Sequence, residues 1–237
     1  MDPKVDALPS QTDQKLQAEF NQWAAAGRGD EMEGHHSDIT EQTLSLMDIQ
    51  PGDRLLDLGC GTGWASRRMA RLAHAGDVVG LDVADEMLRR AEEASSAFKN
   101  VRYVWGSAER IPEGDNGFSK VLSVESFYYY ADQGKALDEL RRVMAPAGKL
   151  FILINLYKDN HYSLRWVEEL KVPVQALSEE EYKRLLQKHG FTDVQALRIP
   201  DRSPTPETYS GKWFGNAEEL KDFKRIGALL LIATKGQ

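Results

Sequence analysis

The chain has little of several features that define other protein classes. Among its 237 residues there is one cysteine, Cys60, which excludes an intramolecular disulfide and a cysteine metal cluster. Its apolar runs reach roughly eight residues, far short of the ~20 that a membrane-spanning helix needs. Positive charge is scarce relative to negative charge, and the net charge of −7 argues against a nucleic-acid-binding surface.

Two further absences concern targeting and metals. Residues 1–17 are polar, of mixed charge, and contain no apolar signal core. No spaced set of histidine and cysteine residues indicates a metal site. We therefore expect a cytoplasmic protein that has neither a membrane nor a nucleic acid as partner, and the sequence leaves its oligomeric state open.

The chain does have the composition of an ordinary globular domain, with 41% hydrophobic residues. Residues 1–11 carry two prolines and few apolar groups, which predicts a disordered leader. Residues 12–237 are expected to form one domain. Within it we predict a helical cap over 12–50 and insertions at 157–177 and 200–224, which should border the substrate.

Apolar strands and amphipathic helices alternate along the chain. Strands are predicted near residues 53–58, 77–82, 101–105, 119–124, 149–156, 192–199 and 226–234. Helices are predicted around Leu16, Phe20 and Trp23 and near residues 38–48, 62–74, 84–97, 132–144 and 178–189. Alternation of this kind predicts an α/β fold, with a parallel sheet and helices on both faces.

The most informative segment is Leu55–Gly63, which reads LLDLGCGTG. It predicts a buried strand ending at Asp57, then a loop with glycine at every second position, then a helix. Such glycines let a ligand approach the backbone, and this turn is where open α/β sheets bind ligands. A dinucleotide site would need its third glycine at position 64, where the chain has Trp64.

Two acidic residues favour a cationic ligand over a diphosphate. Asp57 lies at the strand tip, where its carboxylate repels a diphosphate and attracts a cation. Asp82 ends the next apolar strand, roughly 20 residues after Gly63, which is the spacing of a ribose-binding carboxylate. S-adenosylmethionine (SAM) carries an ammonium, a sulfonium and no phosphate, so it fits both features.

With these motifs and others, the chain resembles the class I SAM-dependent methyltransferases, especially the small-molecule group similar to ubiquinone/menaquinone C-methyltransferases. The segments that carry the resemblance are Leu55–Gly63, Val79–Asp82 with Met87, Gly106–Glu109 with Ile111–Pro112, and Arg141–Gly148. It implies a Rossmann-like, mostly parallel sheet of seven strands, whose last strand is antiparallel and lies between the fifth and sixth. It also implies SAM as cofactor and in-line methyl transfer to a small-molecule acceptor.

The resemblance assigns most candidate site residues to the cofactor. The glycine loop is expected to hold the methionyl end, Asp82 the ribose, and the segment after the third strand the adenine. Arg28 is the candidate partner for the methionyl carboxylate, and Glu125 follows the fourth strand. The expected cofactor-binding residues are Asp57, Gly59, Cys60, Gly61, Gly63, Asp82, Val83, Met87, Ser107, Ala108, Glu125 and Arg28.

The sequence offers fewer candidates for catalysis. Tyr157 and His161 follow the fifth strand, and position alone makes His161 the candidate base. His35 and His36 are alternative bases, although an adjacent pair is more often at a helix start or on the surface. Methyl transfer needs alignment and desolvation more than acid–base groups, so a missing triad does not oppose it. Two alternatives stay open: a non-catalytic binder of SAM or S-adenosylhomocysteine, and a methyltransferase that acts on protein or RNA.

Overall fold

A computed structural model describes residues 10–236, which form helices around a seven-stranded sheet. The strands are β1 (Arg54–Leu58), β2 (Asp77–Asp82), β3 (Val101–Trp105), β4 (Phe118–Val124), β5 (Met144–Ile154), β6 (Phe191–Ile199) and β7 (Ala228–Lys235). Their order across the sheet is β3-β2-β1-β4-β5-β7-β6. β1 to β5 pair in parallel, and β7 runs antiparallel to both of its neighbours. The predicted fold class is confirmed, including the position and direction of the last strand.

Helices cover both faces of the sheet. In the described part of the chain they are α1 (Gln11–Ala25), α2 (Arg28–Leu46), α3 (Trp64–Leu72), α4 (Asp85–Ala94), α5 (Gln133–Val143), α6 (Glu179–Lys188) and α7 (Ala217–Ile226). None of them is long and apolar enough to cross a bilayer. Successive residues of β1 show the two layers, because Leu55 packs in a cluster with Met69 of α3, whereas Leu56 packs with Leu137 of α5.

The N-terminal cap is more helical than predicted. α2 begins at Arg28 instead of near residue 38, and Gly27, with φ of +76°, makes the left-handed turn between α1 and α2. Glycine at position 29 lowers helix propensity, but it also allows close packing. A Cβ at Gly29 would lie 2.4 Å from the methyl group of Thr62. Tertiary contact with the loop after β1 therefore offsets the weak local propensity.

α1 is capped at its start and anchored to α4 near its end. A capping box between Ser10 and Asp13 closes its first turn. Further along, Asn21 Nδ2 donates to Asp85 Oδ1 at 2.7 Å, and Asn21 Oδ1 accepts the backbone N–H of Glu86 at 3.0 Å. α1 thus caps α4 from outside. Apart from Ser10 and the first residue of α1, the predicted leader 1–11 lies outside the described residues.

The two predicted insertions differ in content. The 200–224 segment holds most of α7, a helix that the sequence analysis did not predict. Asn216 caps it, because its side-chain oxygen accepts two backbone N–H groups of the first turn. The 157–177 segment contains a short 3-10 helix, Ser163–Glu168.

Candidate cofactor and active site

A cavity of about 960 Å³, measured out to its open mouth, lies at the carboxyl ends of the parallel strands. Four strands contribute to its wall: β1 through Gly59–Thr62, β2 through Asp82, β3 through Gly106–Glu109 and β4 through Glu125. The strand order reverses between β1 and β4. Open α/β sheets bind their ligands at this edge and beside this reversal.

The glycine loop after β1 has a backbone that favours glycine. The φ angles of Gly59, Gly61 and Gly63 are +74°, +52° and +72°. A Cβ at Gly59 would lie 2.5 Å from Ser126, and one at Gly63 would lie 2.2 Å from the hydroxyl of Tyr103. Gly59 and Gly61 line the cavity together with the intervening cysteine, whereas Gly63 is the N-cap of α3.

Asp82 connects this loop with the helix after β2. Its Oδ2 accepts the N–H of Gly61 and its Oδ1 accepts the N–H of Ala84, both at 2.9 Å. Burial raises the pKa of the carboxyl above its ordinary value, against these hydrogen bonds. Asp82, Val83 and Met87 all line the cavity. The structure therefore brings these three predicted residues to one wall.

Asp57 lies behind the loop instead of in the cavity wall. It is 1% exposed, and its Oδ2 accepts the hydroxyl hydrogen of Ser66 at 2.5 Å. Burial raises the pKa of Asp57 to about 7, with a further upward contribution from the charge of Asp82 and an opposing one from Ser66. A carboxylate in this position acts on a ligand through its field, not by direct contact.

Glu125 is a buried carboxyl group on a strained backbone. Its φ is +51°, which is rare for a residue other than glycine and is typical of functional sites. Oε1 accepts the N–H of Asn155 at 2.6 Å, and Oε2 accepts the hydroxyl hydrogen of Tyr128 at 3.0 Å. Burial raises the pKa of Glu125 to about 7. The side chain lines the cavity at the end of β4.

The segment after β3 meets α1 at the other end of the cavity. Ser107 and Ala108, the residues predicted to meet the adenine, both line the wall. Ser107 Oγ donates to Asp13 Oδ1 at 3.0 Å. No sequence motif marks Asp13 as a site residue, because the capping box alone explains an acid at that position.

α1 and α2 cover the cavity, and of the residues that they contribute only His36 was a candidate from the sequence, as an alternative base. Leu16, Phe20 and Trp23 form one stripe of α1, which the periodicity detects only as a buried helix face. The residues that these two helices add to the wall are Asp13, Leu16, Phe20, Trp23, Gly29, Met32 and His36.

Arg28 does not line the cavity. It lies in a separate groove on the outside of α1, which we call the outer groove and which Trp23, Leu170, Lys171 and Trp213 also line. The Arg28 guanidinium stacks on the Trp23 ring at 4.1 Å from the ring centroid. The structure therefore does not place Arg28 where it was expected to meet the methionyl carboxylate, because the start of α2 turns it outward.

Tyr157 and His161, the predicted catalytic residues, also lie outside the cavity wall. Tyr157 is fully buried and its hydroxyl donates to the carbonyl of Gly227 at 2.9 Å, with Arg198 over its ring. His161 is exposed and its ring lies 4.1 Å from that of Tyr162. The chain after β5 turns away from the carboxyl ends of β1 and β4, so proximity in sequence does not become proximity to the cavity.

The charge of the cavity has one sign. Asp13, Asp82, Glu109 and Glu125 line it, and the lining contains no Lys or Arg side chain among the residues that the structure describes. The rest of the wall is mostly aliphatic and aromatic. Buried carboxylates without cationic partners are costly unless a ligand supplies the opposite charge. The cavity therefore fits a cationic ligand with an apolar body, such as SAM. No cluster of His, Cys, Asp and Glu suited to a metal ion occurs in the described residues.

Comparisons with known proteins agree with this geometry. Residues 56–152 match a family model described as a methyltransferase domain. The demethylmenaquinone methyltransferase of Staphylococcus epidermidis is 31% identical over 173 residues, which cover 69% of this chain and 71% of that protein. A chain from the complex between the Trm112 methyltransferase activator of Haloferax volcanii and a methyltransferase superposes with a TM-score of 0.86 at 28% identity. That match covers 92% of this chain and 98% of the other.

A SAM-dependent methyltransferase from Aquifex aeolicus shares the fold, with a TM-score of 0.62 at 20% identity over 88% of this chain and 97% of that one. A Rossmann-like sheet with this glycine loop and this acidic cavity defines a SAM-binding enzyme. The chain belongs to the class I SAM-dependent methyltransferases of the ubiquinone/menaquinone C-methyltransferase type. Its cofactor is SAM, and the non-catalytic alternative is set aside.

Proposed function

We propose that this enzyme transfers the methyl group of SAM to a small, uncharged, largely apolar acceptor. The observation that carries the proposal is the cavity lining, in which four carboxylates and no Lys or Arg accompany aliphatic and aromatic walls. An anionic acceptor meets repulsion in such a site, whereas an uncharged ring fits against Phe20, Trp23 and Tyr129. The name of the Staphylococcus epidermidis relative points to the same chemistry, because a reduced naphthoquinone is an uncharged, apolar ring.

The residues in hand supply binding, orientation and exclusion of water. Bound SAM supplies an electrophilic methyl group on a sulfonium. Gly59 and Gly61 allow the methionyl end to approach the loop backbone, and Asp82 is the proposed acceptor for the ribose hydroxyls. α1 and α2 cover the cavity, so the acceptor meets the cofactor in a desolvated space where alignment gives most of the rate.

Binding and transfer are tested on the same purified protein. We expect calorimetry to give micromolar affinities for SAM and S-adenosylhomocysteine and no heat with NAD. Labelled SAM should then methylate reduced 1,4-naphthoquinones, with and without a 2-prenyl chain. Total tRNA and a mixture of unrelated proteins are the comparison acceptors. Labelling of those and of no quinol would contradict the small-molecule assignment.

We also propose that this chain associates with an activator of the Trm112 kind. The support is the likeness to the Haloferax volcanii chain, which extends over nearly the full length of both proteins at 28% identity. Co-expression of the two proteins, followed by size-exclusion chromatography, tests the association. Separate elution at micromolar concentration would contradict it, whereas co-elution and a higher turnover would support it.

A further inference from the structure

The cavity wall contains one histidine among the described residues, and the roles given above do not use it. His36 lies on α2, in the stripe that also includes Met32 and Gly29, one and two turns earlier. These three residues are at positions i, i+3 and i+7, so they share one face of the helix. The same face continues into the core as Ile39, which is 2% exposed. His36 is thus where the buried face of α2 passes the cavity.

The surroundings of His36 keep its ring neutral. A neutral imidazole has one N–H donor and one nitrogen with a free lone pair, and that second nitrogen can accept a hydrogen bond. Burial lowers the pKa of His36 to about 4, and the adjacent His35 contributes in the same direction. Met32 and Asp201, which follows β6, act in the opposite direction without cancelling the shift.

The carboxyl groups of the wall already have polar partners, and Glu109 accepts the N–H of Asp132. Asp13 accepts from Ser107, Asp82 from two backbone N–H groups, and Glu125 from Asn155 and Tyr128. Their negative charge also suits the cationic cofactor. A neutral imidazole suits a different partner, namely a donor group on an uncharged acceptor.

We propose that His36 binds the hydroxyl group of the methyl acceptor and takes its proton, which makes the acceptor a hydroxyaromatic molecule. This inference rests on the proposed function and names the acceptor's reacting group. The hydroxyl becomes strongly acidic only as its oxygen gains the methyl group, and a base with a pKa of about 4 is sufficient at that point. The O–H bond then breaks and the proton moves to the unprotonated ring nitrogen of His36. The acceptor oxygen forms a bond to the methyl carbon as the C–S bond breaks, and sulfur keeps that electron pair. His36 then releases the proton to solvent.

The same step also serves carbon methylation. The ring carbon adjacent to the hydroxyl attacks the methyl group while the hydroxyl proton moves to His36, because the attack itself makes the hydroxyl strongly acidic. The ring carbon loses its own proton to solvent as aromaticity returns, and the oxygen recovers a proton from His36. His36 is therefore a catalytic residue for oxygen and carbon attack alike.

A matched pair of ligands tests the hydroxyl contact without relying on turnover. In the presence of S-adenosylhomocysteine, we expect 1-naphthol to bind at least tenfold more tightly than 1-methoxynaphthalene, because a site built for a donor rejects an analogue that lacks it. His36→Ala should bring this ratio close to one. His35→Ala is the matched control, since this exposed neighbour is absent from the cavity wall and should keep the ratio.

The outcomes separate this inference from the proposed function. A ratio near one in the wild type, binding of neither aromatic ligand, or an unchanged ratio in His36→Ala would each overturn the role of His36. If the wild type did not bind S-adenosylhomocysteine at all, that result would instead count against the proposed function. Transfer of labelled methyl to 1-naphthol gives the second readout, and His36→Gln should retain ligand binding while losing at least tenfold in kcat.

Discussion

Asp82 connects the glycine loop, α4 and the cavity through one carboxylate. An Asp82→Asn change keeps the shape of the side chain but removes its charge and one of the two oxygens that hold Gly61 and Ala84. We expect SAM affinity to fall at least tenfold, because hydrogen bonds to charged groups are worth about 1.5–3 kcal/mol. Calorimetry measures the change. Asp77→Asn, at the opposite end of β2, is the control, and an equal loss in both variants would contradict the ribose role.

Asp57 should give the ligand-free protein a distinct pH dependence of stability. Its pKa is about 7 in the fold and 3.8 ordinarily, so the folded state holds this proton more tightly than the unfolded chain. The resulting stabilisation is fully present below about pH 4 and is lost as the pH rises through 7. In Asp57→Asn this pH dependence should disappear. It amounts to up to about 4 kcal/mol of the unfolding free energy.

Urea unfolding at pH 5 and pH 8 measures the difference. Ser66→Ala serves as the companion variant, because it removes the hydrogen bond that lowers the pKa of Asp57 and so should steepen the slope. Parallel pH profiles in the wild type and Asp57→Asn would show that the carboxyl is ionised in the fold.

At the scale of elements, α1 behaves as a cover that is fastened by side-chain amides. Gln17 and Asn21 both donate to Asp85, and Asn21 also caps α4. We expect Asn21→Ala to accelerate the release of labelled S-adenosylhomocysteine three- to tenfold in a chase experiment, since each lost hydrogen bond is worth about 1 kcal/mol. Gln22→Ala, on the outer face of the same helix, should leave the rate unchanged. Equal release from both variants would mean that α1 does not control exit.

The sheet and the cofactor loop could be predicted because their signals are local. Alternating apolar strands and helices, the glycines of Leu55–Gly63 and the acid that ends β2 each depend on residues close together in sequence. α2 could not be predicted in full, because packing of Gly29 on Thr62, 33 positions later, outweighs its weak helix propensity. The direction of Arg28 depends on where that helix starts. His36 was visible as a histidine, but its place in the cavity depends on the same packing.

For the whole molecule, cofactor charge and proton balance should be linked. Asp57 lies behind the cavity wall and Glu125 lies in it, and both have pKa values raised to about 7. A sulfonium nearby favours the ionised forms, so SAM binding near pH 7 should release up to about one proton and strengthen as the pH rises from 6 to 8. Calorimetry in buffers of different ionisation enthalpy measures the release.

S-adenosylhomocysteine provides the control for this linkage, because it lacks the sulfonium charge and keeps the rest of the cofactor. It should release fewer protons than SAM. The Glu125→Gln variant should lose part of the difference between the two ligands. Equal release with both ligands would locate the titrating groups away from the sulfonium.

Trp23 belongs to the wall of the cavity and to the wall of the outer groove at the same time, with Arg28 over its ring and its Nε1 donating to Glu19. The fluorescence of the Trp23 indole should change when a ligand fills the cavity or the outer groove, or when the Arg28 guanidinium moves off its ring. The enzyme thus carries a built-in fluorophore at the boundary between the buried cofactor and the outside. Occupancy on its two sides can be followed optically, without labelling the protein.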